Sequence, residues 1–205
     1  HDYMLFIITF LMLALTGCYT LVCCLAEFGA YFKIEGDDDS TESQRHETIA
    51  WFSIMLLYFW TVQVFANIVV VTVSGAAKEW WFAAEGLAPV MSAFCRACTY
   101  DLGAICFGSL IVAIIQTVYA IVIYLEEKAR KQGNKLLECL LACLACLIAC
   151  IEKCVEYMNK YAYTYVGIYG YGFMTAGMKV FGLFANEGLT IIQNDLIVEY
   201  GPLFG

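Results

Sequence analysis

Two apolar stretches of the sequence carry polar and aromatic side chains at spacings that place them on one face of a helix. The residues are Trp60, Gln63 and Asn67 in the first stretch and Ser109, Gln116 and Tyr119 in the second. Steps of three, four and seven residues return to the same side of a helix. Because an unpartnered amide or hydroxyl group is costly in hydrocarbon, we expect both faces to turn away from lipid.

Two interpretations of these faces are open. The polar groups could only join helices to one another through hydrogen bonds. Alternatively, they could line a pathway for a small organic cation. A quaternary ammonium group has no N–H to donate, so aromatic ring faces hold it through cation–π attraction of about 0.5–2 kcal/mol per contact. Four aromatic side chains of these stretches could form such a cage: Trp51, Tyr58, Trp60 and Tyr119.

A second repeated pattern consists of five cysteines at steps of four, three, four and four residues. They are Cys139, Cys143, Cys146, Cys150 and Cys154. This spacing predicts one face of a single helix. We favour packing of free thiols as small apolar groups. Palmitoylation beside the preceding basic residues is the alternative, and metal binding is disfavoured because no histidine or zinc-ribbon spacing accompanies the cysteines.

Other chemistry finds little support in the sequence. It contains no phosphate-binding loop, no metalloprotease or hydrolase motif and no dinucleotide fingerprint. It also lacks a run of basic residues long enough to suggest nucleic-acid binding, and the formal net charge is -8. We therefore predict that the protein is not an enzyme and uses no cofactor.

The composition indicates a membrane protein. Hydrophobic residues make up 62% of the 205 residues and charged residues only 15%, with a mean hydropathy of +0.73. A soluble domain of this size could not easily bury so much apolar surface. We predict an all-α, polytopic helical bundle in the bilayer. His1 and the apolar end at residues 201–205 lead us to expect a partial transmembrane domain.

Three uncharged or nearly uncharged runs are long enough to cross the bilayer, over about residues 4–25, 48–73 and 104–125. Gly75 is expected to end the second pattern. Residues 84–103 are expected to form an interfacial or re-entrant segment beyond it.

The last third of the chain is more mixed. We predict one Cys-rich amphipathic helix over residues 136–160, lying on the interface or dipping into it. A Gly- and Tyr-rich span or broken helix should follow at residues 161–185. The Asn186-Glu187-Gly188 sequence predicts a helix stop, with a short interfacial helix at residues 189–200.

Several ordered segments resemble the choline transporter-like family, in particular its fungal and plant branch. The resemblance covers about residues 49–200 and rests on these segments: Trp60-Thr61-Val62-Gln63-Val64-Phe65-Ala66-Asn67, Val71-Thr72-Val73-Ser74-Gly75, Trp80-Trp81-Phe82, Asp101-Leu102-Gly103, Phe107-Gly108-Ser109-Leu110-Ile111, Cys150-Ile151-Glu152-Lys153-Cys154, Asn159-Lys160-Tyr161-Ala162-Tyr163 and Ile168-Tyr169-Gly170-Tyr171-Gly172-Phe173. The resemblance implies a chain of about ten spans, of which these residues are part of the C-terminal half.

The resemblance also implies a function and a location. We expect transport of choline, ethanolamine or a related small cation across the plasma membrane, with an organelle membrane as the alternative location. The expected partners are that cation, the lipid bilayer and the remaining spans of the full-length chain. The rival hypothesis is a structural or lipid-interacting membrane protein, or a channel, that does not transport choline.

The sidedness of the loops stays open. Residues 26–48 form a predicted acidic loop, which the resemblance would place outside the cell. The basic residues between 128 and 135 should be cytoplasmic by the positive-inside rule. If the predicted spans 48–73 and 104–125 each cross the membrane once, the acidic loop and the basic residues lie on the same side. The two expectations therefore conflict, unless residues 75–103 dip into the membrane or the basic residues are an exception to the rule.

Overall fold

A computed structural model describes residues 2–34, 41–82 and 89–200 of the chain. It contains six helices, described in chain order as α1 (Asp2–Ile34), α2 (Thr41–Phe82), α3 (Pro89–Thr99), α4 (Leu102–Lys131), α5 (Lys135–Tyr169) and α6 (Phe173–Tyr200). The described residues are helical apart from short turns, which confirms the predicted all-α class.

Three of the described helices are long and apolar enough to cross a membrane. The qualifying segments are Tyr3–Ala26, Ile49–Phe82 and Leu102–Lys131, in α1, α2 and α4. Large apolar side chains cover their outer surface; for example, Phe6 and Phe10 are more than 70% exposed. Such a surface would be unfavourable in water but suits hydrocarbon. The polytopic membrane prediction is therefore supported by length, composition and exposure together.

Helices α2, α4 and α5 pack against one another and form the centre of the bundle. Helix α3 lies against α2, α6 lies against α5, and α1 contacts mainly α2. The buried core joins Ile68 and Val71 of α2, Ile105 of α4, and Tyr163 and Val166 of α5. These helices therefore position the side chains that the sequence analysis singled out.

The second predicted span is longer than expected. Helix α2 begins at Thr41 and continues to Phe82, so the prediction that Gly75 ends the helical pattern is wrong. The acidic loop predicted at residues 26–48 is correspondingly shorter, and its residues 35–40 lie outside the described part of the chain. Gly75 is buried against α3 and α5, and its lack of a side chain serves this packing.

The division predicted at residue 160 is also wrong. One helix, α5, runs from Lys135 to Tyr169 through the expected boundary between a Cys-rich helix at residues 136–160 and a separate segment at 161–185. At about 1.5 Å per residue it measures about 50 Å, so it extends beyond a hydrocarbon core of about 30 Å.

The break in this part of the chain lies at residues 170–172. Gly170 adopts the left-handed conformation at φ 71° and its N–H donates to the Val166 carbonyl oxygen over 2.8 Å. Glycine suits this position because a Cβ would strain it. Helix α6 then begins at Phe173 and bends at Glu187, whose backbone is non-helical. This bend agrees with the predicted stop at residues 186–188.

Candidate substrate site

Two of the predicted pathway residues of α2 contact α4 directly. The Trp60 indole Nε1 donates to the Cys106 carbonyl oxygen over 2.9 Å. The Asn67 amide Nδ2 donates to the Ser109 hydroxyl over 2.9 Å. Both residues are half-buried. This face of α2 therefore turns toward α4, as the spacing predicted.

The hydrogen bonds continue from α4 into α5. The Ser109 hydroxyl lies 3.3 Å from the Tyr163 hydroxyl, which donates to the Ile105 carbonyl oxygen over 3.3 Å. Ser109 is 0% exposed and Tyr163 is 1% exposed. Asn67, Ser109 and Tyr163, which we call the polar seam, thus link three helices at the centre of the bundle.

The helices around the polar seam approach one another closely at glycines. A Cβ on Gly108 would lie only 2.5 Å from the Tyr163 hydroxyl oxygen. A Cβ on Gly167 would lie 2.7 Å from the Val71 carbonyl oxygen, where α5 crosses α2. Both distances are shorter than real contacts allow. The seam is therefore closed in this conformation, and a pathway along it requires α2, α4 and α5 to separate.

The remaining predicted pathway residues do not join the seam. Gln116 donates from Nε2 to the Glu156 carboxylate over 3.4 Å, about two helical turns from Ser109. Tyr119 and Gln63 are half-buried, and Gln63 has no hydrogen bond with any other described residue. The polar residues of α4 consequently reach two separate levels of α5.

Two of the four aromatic residues proposed as a cage, Tyr58 and Trp60, contact different helices. Tyr58 stacks on Tyr19 of α1, with ring centroids 6.4 Å apart and planes 7° apart. Trp60 turns instead toward α4. The two rings therefore lie against different helices.

An open pocket lies at the break between α5 and α6. Its volume is about 420 Å³, and it is bounded by the start of α4, the turn at residues 170–172 and the start of α6. Its lining includes four aromatic side chains and one carboxylate: Tyr100, Phe107, Tyr171, Phe173 and Asp101. We call these five residues the aromatic pocket. Its size falls within the range of about 300–1,000 Å³ that is typical of small-molecule sites.

Asp101 is tied to the bundle by Arg96 of α3. The Arg96 Nε lies 3.3 Å from the Asp101 Oδ2, and the same guanidinium donates to the Gly167 carbonyl oxygen of α5. Asp101 is only 5% exposed. Burial raises the pKa of the Asp101 carboxyl, and the charge of Arg96 opposes that rise. The pair thus holds a carboxylate at the edge of the pocket.

The sequence analysis did not assign the residues of the aromatic pocket to a site. Asp101, Phe107 and the segment 168–173 entered it only as carriers of a resemblance. The available signal was the repeated glycine between aromatic residues at 169–173, which predicts an irregular backbone lined by rings. Their proximity to Tyr100 and Phe107 depends on how α4 packs against α5, which spacing along the chain does not reveal.

Comparisons with known proteins identify relatives of this chain. A family model described as plasma-membrane choline transporter matches residues 2–205. Protein PNS1 of Mycosarcoma maydis is 38% identical over 147 residues, which cover 71% of this chain and 28% of that protein. Protein PNS1 of Yarrowia lipolytica is 34% identical over 159 residues, covering 75% of this chain and 28% of that protein.

A human protein shows a similar match. Choline transporter-like protein 2 of Homo sapiens is 30% identical over 171 residues, which cover 80% of this chain and 24% of that protein. The chain thus spans less than a third of the length of these three relatives. The match to the family model over nearly every residue nevertheless places this chain within the choline transporter-like family.

Proposed function

We propose that the full-length protein transports choline or a related small organic cation across a membrane, without a cofactor or covalent chemistry. The observation that carries this proposal is the family match over residues 2–205. The relative from Homo sapiens bears a choline transporter-like name, and the fungal relatives bear a name that specifies no substrate. The plasma membrane is the proposed location, in keeping with the description of the family.

The proposed pathway includes the face of α2 that bears Trp60, Gln63 and Asn67, together with Ser109, Gln116 and Tyr119 of α4. Its support is the contact of this face with α4 through Trp60 and Asn67. Movement of α2 relative to α4 would break the hydrogen bond between Asn67 and Ser109 and expose both polar groups. These exposed polar groups would replace part of the water around a cation that passes between the helices.

The hydrogen bonds within the polar seam favour the rival hypothesis for some of these residues. Asn67, Ser109 and Tyr163 partner one another, so they could serve only to hold three helices together. Gln63 is the more informative residue, because no described hydrogen bond holds it in this conformation.

Uptake of labelled choline by the reconstituted full-length protein tests the proposed function. Saturable uptake above protein-free vesicles is expected, and its absence would contradict choline transport. Currents that increase without saturation would indicate a channel. Retention of the fold with no flux of any small cation would support a structural role.

Two substitutions test the pathway within the same assay. Gln63→Leu should lower uptake while leaving expression and melting temperature near wild type, whereas the helix-joining hypothesis predicts mainly lower stability. Trp60→Ala should lower uptake more than Trp60→Phe, since phenylalanine keeps a ring face. Wild-type uptake by a well-expressed Gln63→Leu, Trp60→Ala double variant would contradict this pathway.

A further inference from the structure

We propose that the aromatic pocket at the break between α5 and α6 is a binding site for the ammonium group of the transported organic cation. This inference rests on the proposed function and assigns the substrate to a place beside the polar seam but outside it, since the Phe173 ring packs on Tyr163 with centroids 5.5 Å apart. The pocket combines an accessible volume, ring faces and a carboxylate, whereas the seam is closed by direct contacts.

The first argument is the aromatic lining. Phe107 and Phe173 meet edge to face with ring centroids 6.0 Å apart, and these two rings form one wall of the pocket. Tyr100 is 88% exposed and half-buried Tyr171 completes the set of rings. Ring faces attract alkylated ammonium groups that cannot donate hydrogen bonds.

The second argument is that a cation of the chain itself already uses one of these rings. The Lys179 Nζ lies 5.3 Å from the centroid of Tyr171. Tyr171 also stacks on Tyr169 with centroids 5.4 Å apart. Lys179 lines a neighbouring pocket with Tyr165 and Tyr169, not the aromatic pocket itself. Tyr171 therefore already contacts an ammonium group from the side of the neighbouring pocket, which is the kind of contact proposed for the other rings of the aromatic pocket.

The third argument concerns the charge of the site. Among the described residues that line the pocket, Asp101 alone is charged at neutral pH. Arg96, which does not line the pocket, offsets part of that charge from the side of α3. Lys78 also acts on Asp101, and Lys179 lies against Tyr171, so the single carboxylate leaves little net negative charge at the site. Hard metal cations require several oxygen ligands, whereas a large organic cation can bind mainly through rings.

The fourth argument is that glycines keep the pocket open. Beyond the adjacent backbone, a Cβ on Gly103 or Gly172 would have no heavy atom within 4 Å. Gly103 is an exposed lining residue on the first turn of α4. A larger side chain there would enter the pocket without displacing the core. Gly103 thus offers a way to obstruct the site while preserving the fold.

The experiment measures saturable binding of labelled choline to the purified full-length protein, with uptake measured in parallel. Gly103→Leu should abolish saturable binding. Gly177→Leu is the matched control, because Gly177 lies in α6 with similarly open space and does not line the pocket. The control should bind choline within about twofold of wild type, as expected for a change outside the site.

A second pair of variants tests the ring face without adding bulk. Tyr100→Leu should raise the Kd for choline by about 2- to 30-fold, the factor that corresponds to one cation–π contact. Tyr100→Phe should stay within about twofold, because the ring remains. Tetramethylammonium should compete with labelled choline, and the neutral carbon isostere of choline should compete much less.

The outcomes separate the site from the function. If wild type binds and transports choline but Gly103→Leu and Tyr100→Leu bind it normally, the site is wrong and the proposed function stands. If wild type neither binds nor transports choline, the proposed function fails and the site fails with it. Equal competition by the neutral isostere would overturn the cation–π basis of the site.

Discussion

The polar seam and the aromatic pocket use similar side chains in opposite ways. In the seam, Ser109 and Tyr163 are almost fully buried and bonded to each other, with glycines drawing the helices together. In the pocket, Tyr100 is exposed and the glycines leave empty space instead of a close contact. The polar groups of the seam thus join helices, whereas the rings and the carboxylate of the pocket border free volume.

The largest effect is expected at the glycine crossing beside the seam. Gly167→Ala would place a Cβ 2.7 Å from the Val71 carbonyl oxygen and 2.8 Å from the Ser74 Cβ. Backbone atoms cannot move aside cheaply, so overpacking should cost about 1–3 kcal/mol of stability. The thermal melting of the purified full-length protein measures this cost.

Gly177→Ala is the control for the glycine crossing. Its Cβ would enter open space, and alanine favours a helix by up to about 1 kcal/mol over glycine. Its melting temperature should equal or exceed that of wild type. Equal melting of Gly167→Ala and Gly177→Ala would show that the crossing is looser than the structure indicates.

The second largest effect is expected at the edge of the pocket. Asp101→Asn removes the charge that faces Arg96 and should destabilise the protein by roughly 1–2 kcal/mol, because an unpaired charge would remain partly buried. Glu127→Gln provides a matched control, since Glu127 is an exposed acidic residue on α4, the helix that Asp101 immediately precedes. If both variants melt alike, the Arg96–Asp101 pair does not hold α3 in place.

Much of this architecture could be predicted from the sequence, and the failures have physical causes. The three spans follow from hydropathy and length, and the orientation of Trp60 and Asn67 follows from helical periodicity. Helix α2 continues through Gly75, because the buried contact of this residue with α3 and α5 outweighs the low helix propensity of glycine. The boundary expected near residue 160 failed because tyrosines and glycines continue a helix when they pack against neighbouring helices.

The aromatic pocket could not be predicted, since its rings come from two parts of the chain about 70 residues apart. Only the packing of α4 against α5 and α6 brings them together. The polar seam was partly predictable, because α2 and α4 each carry a regular stripe of polar residues that is visible in the sequence. Tyr163, which completes the seam, lies in a tyrosine-rich segment that marks no single residue as buried.

A smaller effect is expected within the seam itself. A double-mutant cycle of Asn67→Ala and Ser109→Ala should give a coupling energy of about 0.6 kcal/mol, the average for hydrogen bonds between membrane helices. Melting of the four proteins provides the measurement. Strictly additive effects would mean that Asn67 and Ser109 do not stabilise each other, which would weaken the contrast between a cohesive seam and an open pocket.

The smallest effect is expected on a surface outside both regions, the face of α5 that bears Cys139, Cys143, Cys146, Cys150 and Cys154. The helix is continuous from Lys135 to Tyr169 and all five thiols are exposed, which confirms the prediction of a single helix. Replacing all five with alanine should change the total stability by less than about 0.5 kcal/mol, because the described residues bury none of these thiols. Palmitoylation of this face is the alternative to thiol packing, and thioester-specific labelling of wild type and the five-alanine variant tests it. Loss of labelling in the five-alanine variant, with unchanged melting, would show that the cysteines form a modified surface.

A large loss of stability in that variant would instead show that other parts of the full-length protein cover these cysteines, so that the thiols pack between helices.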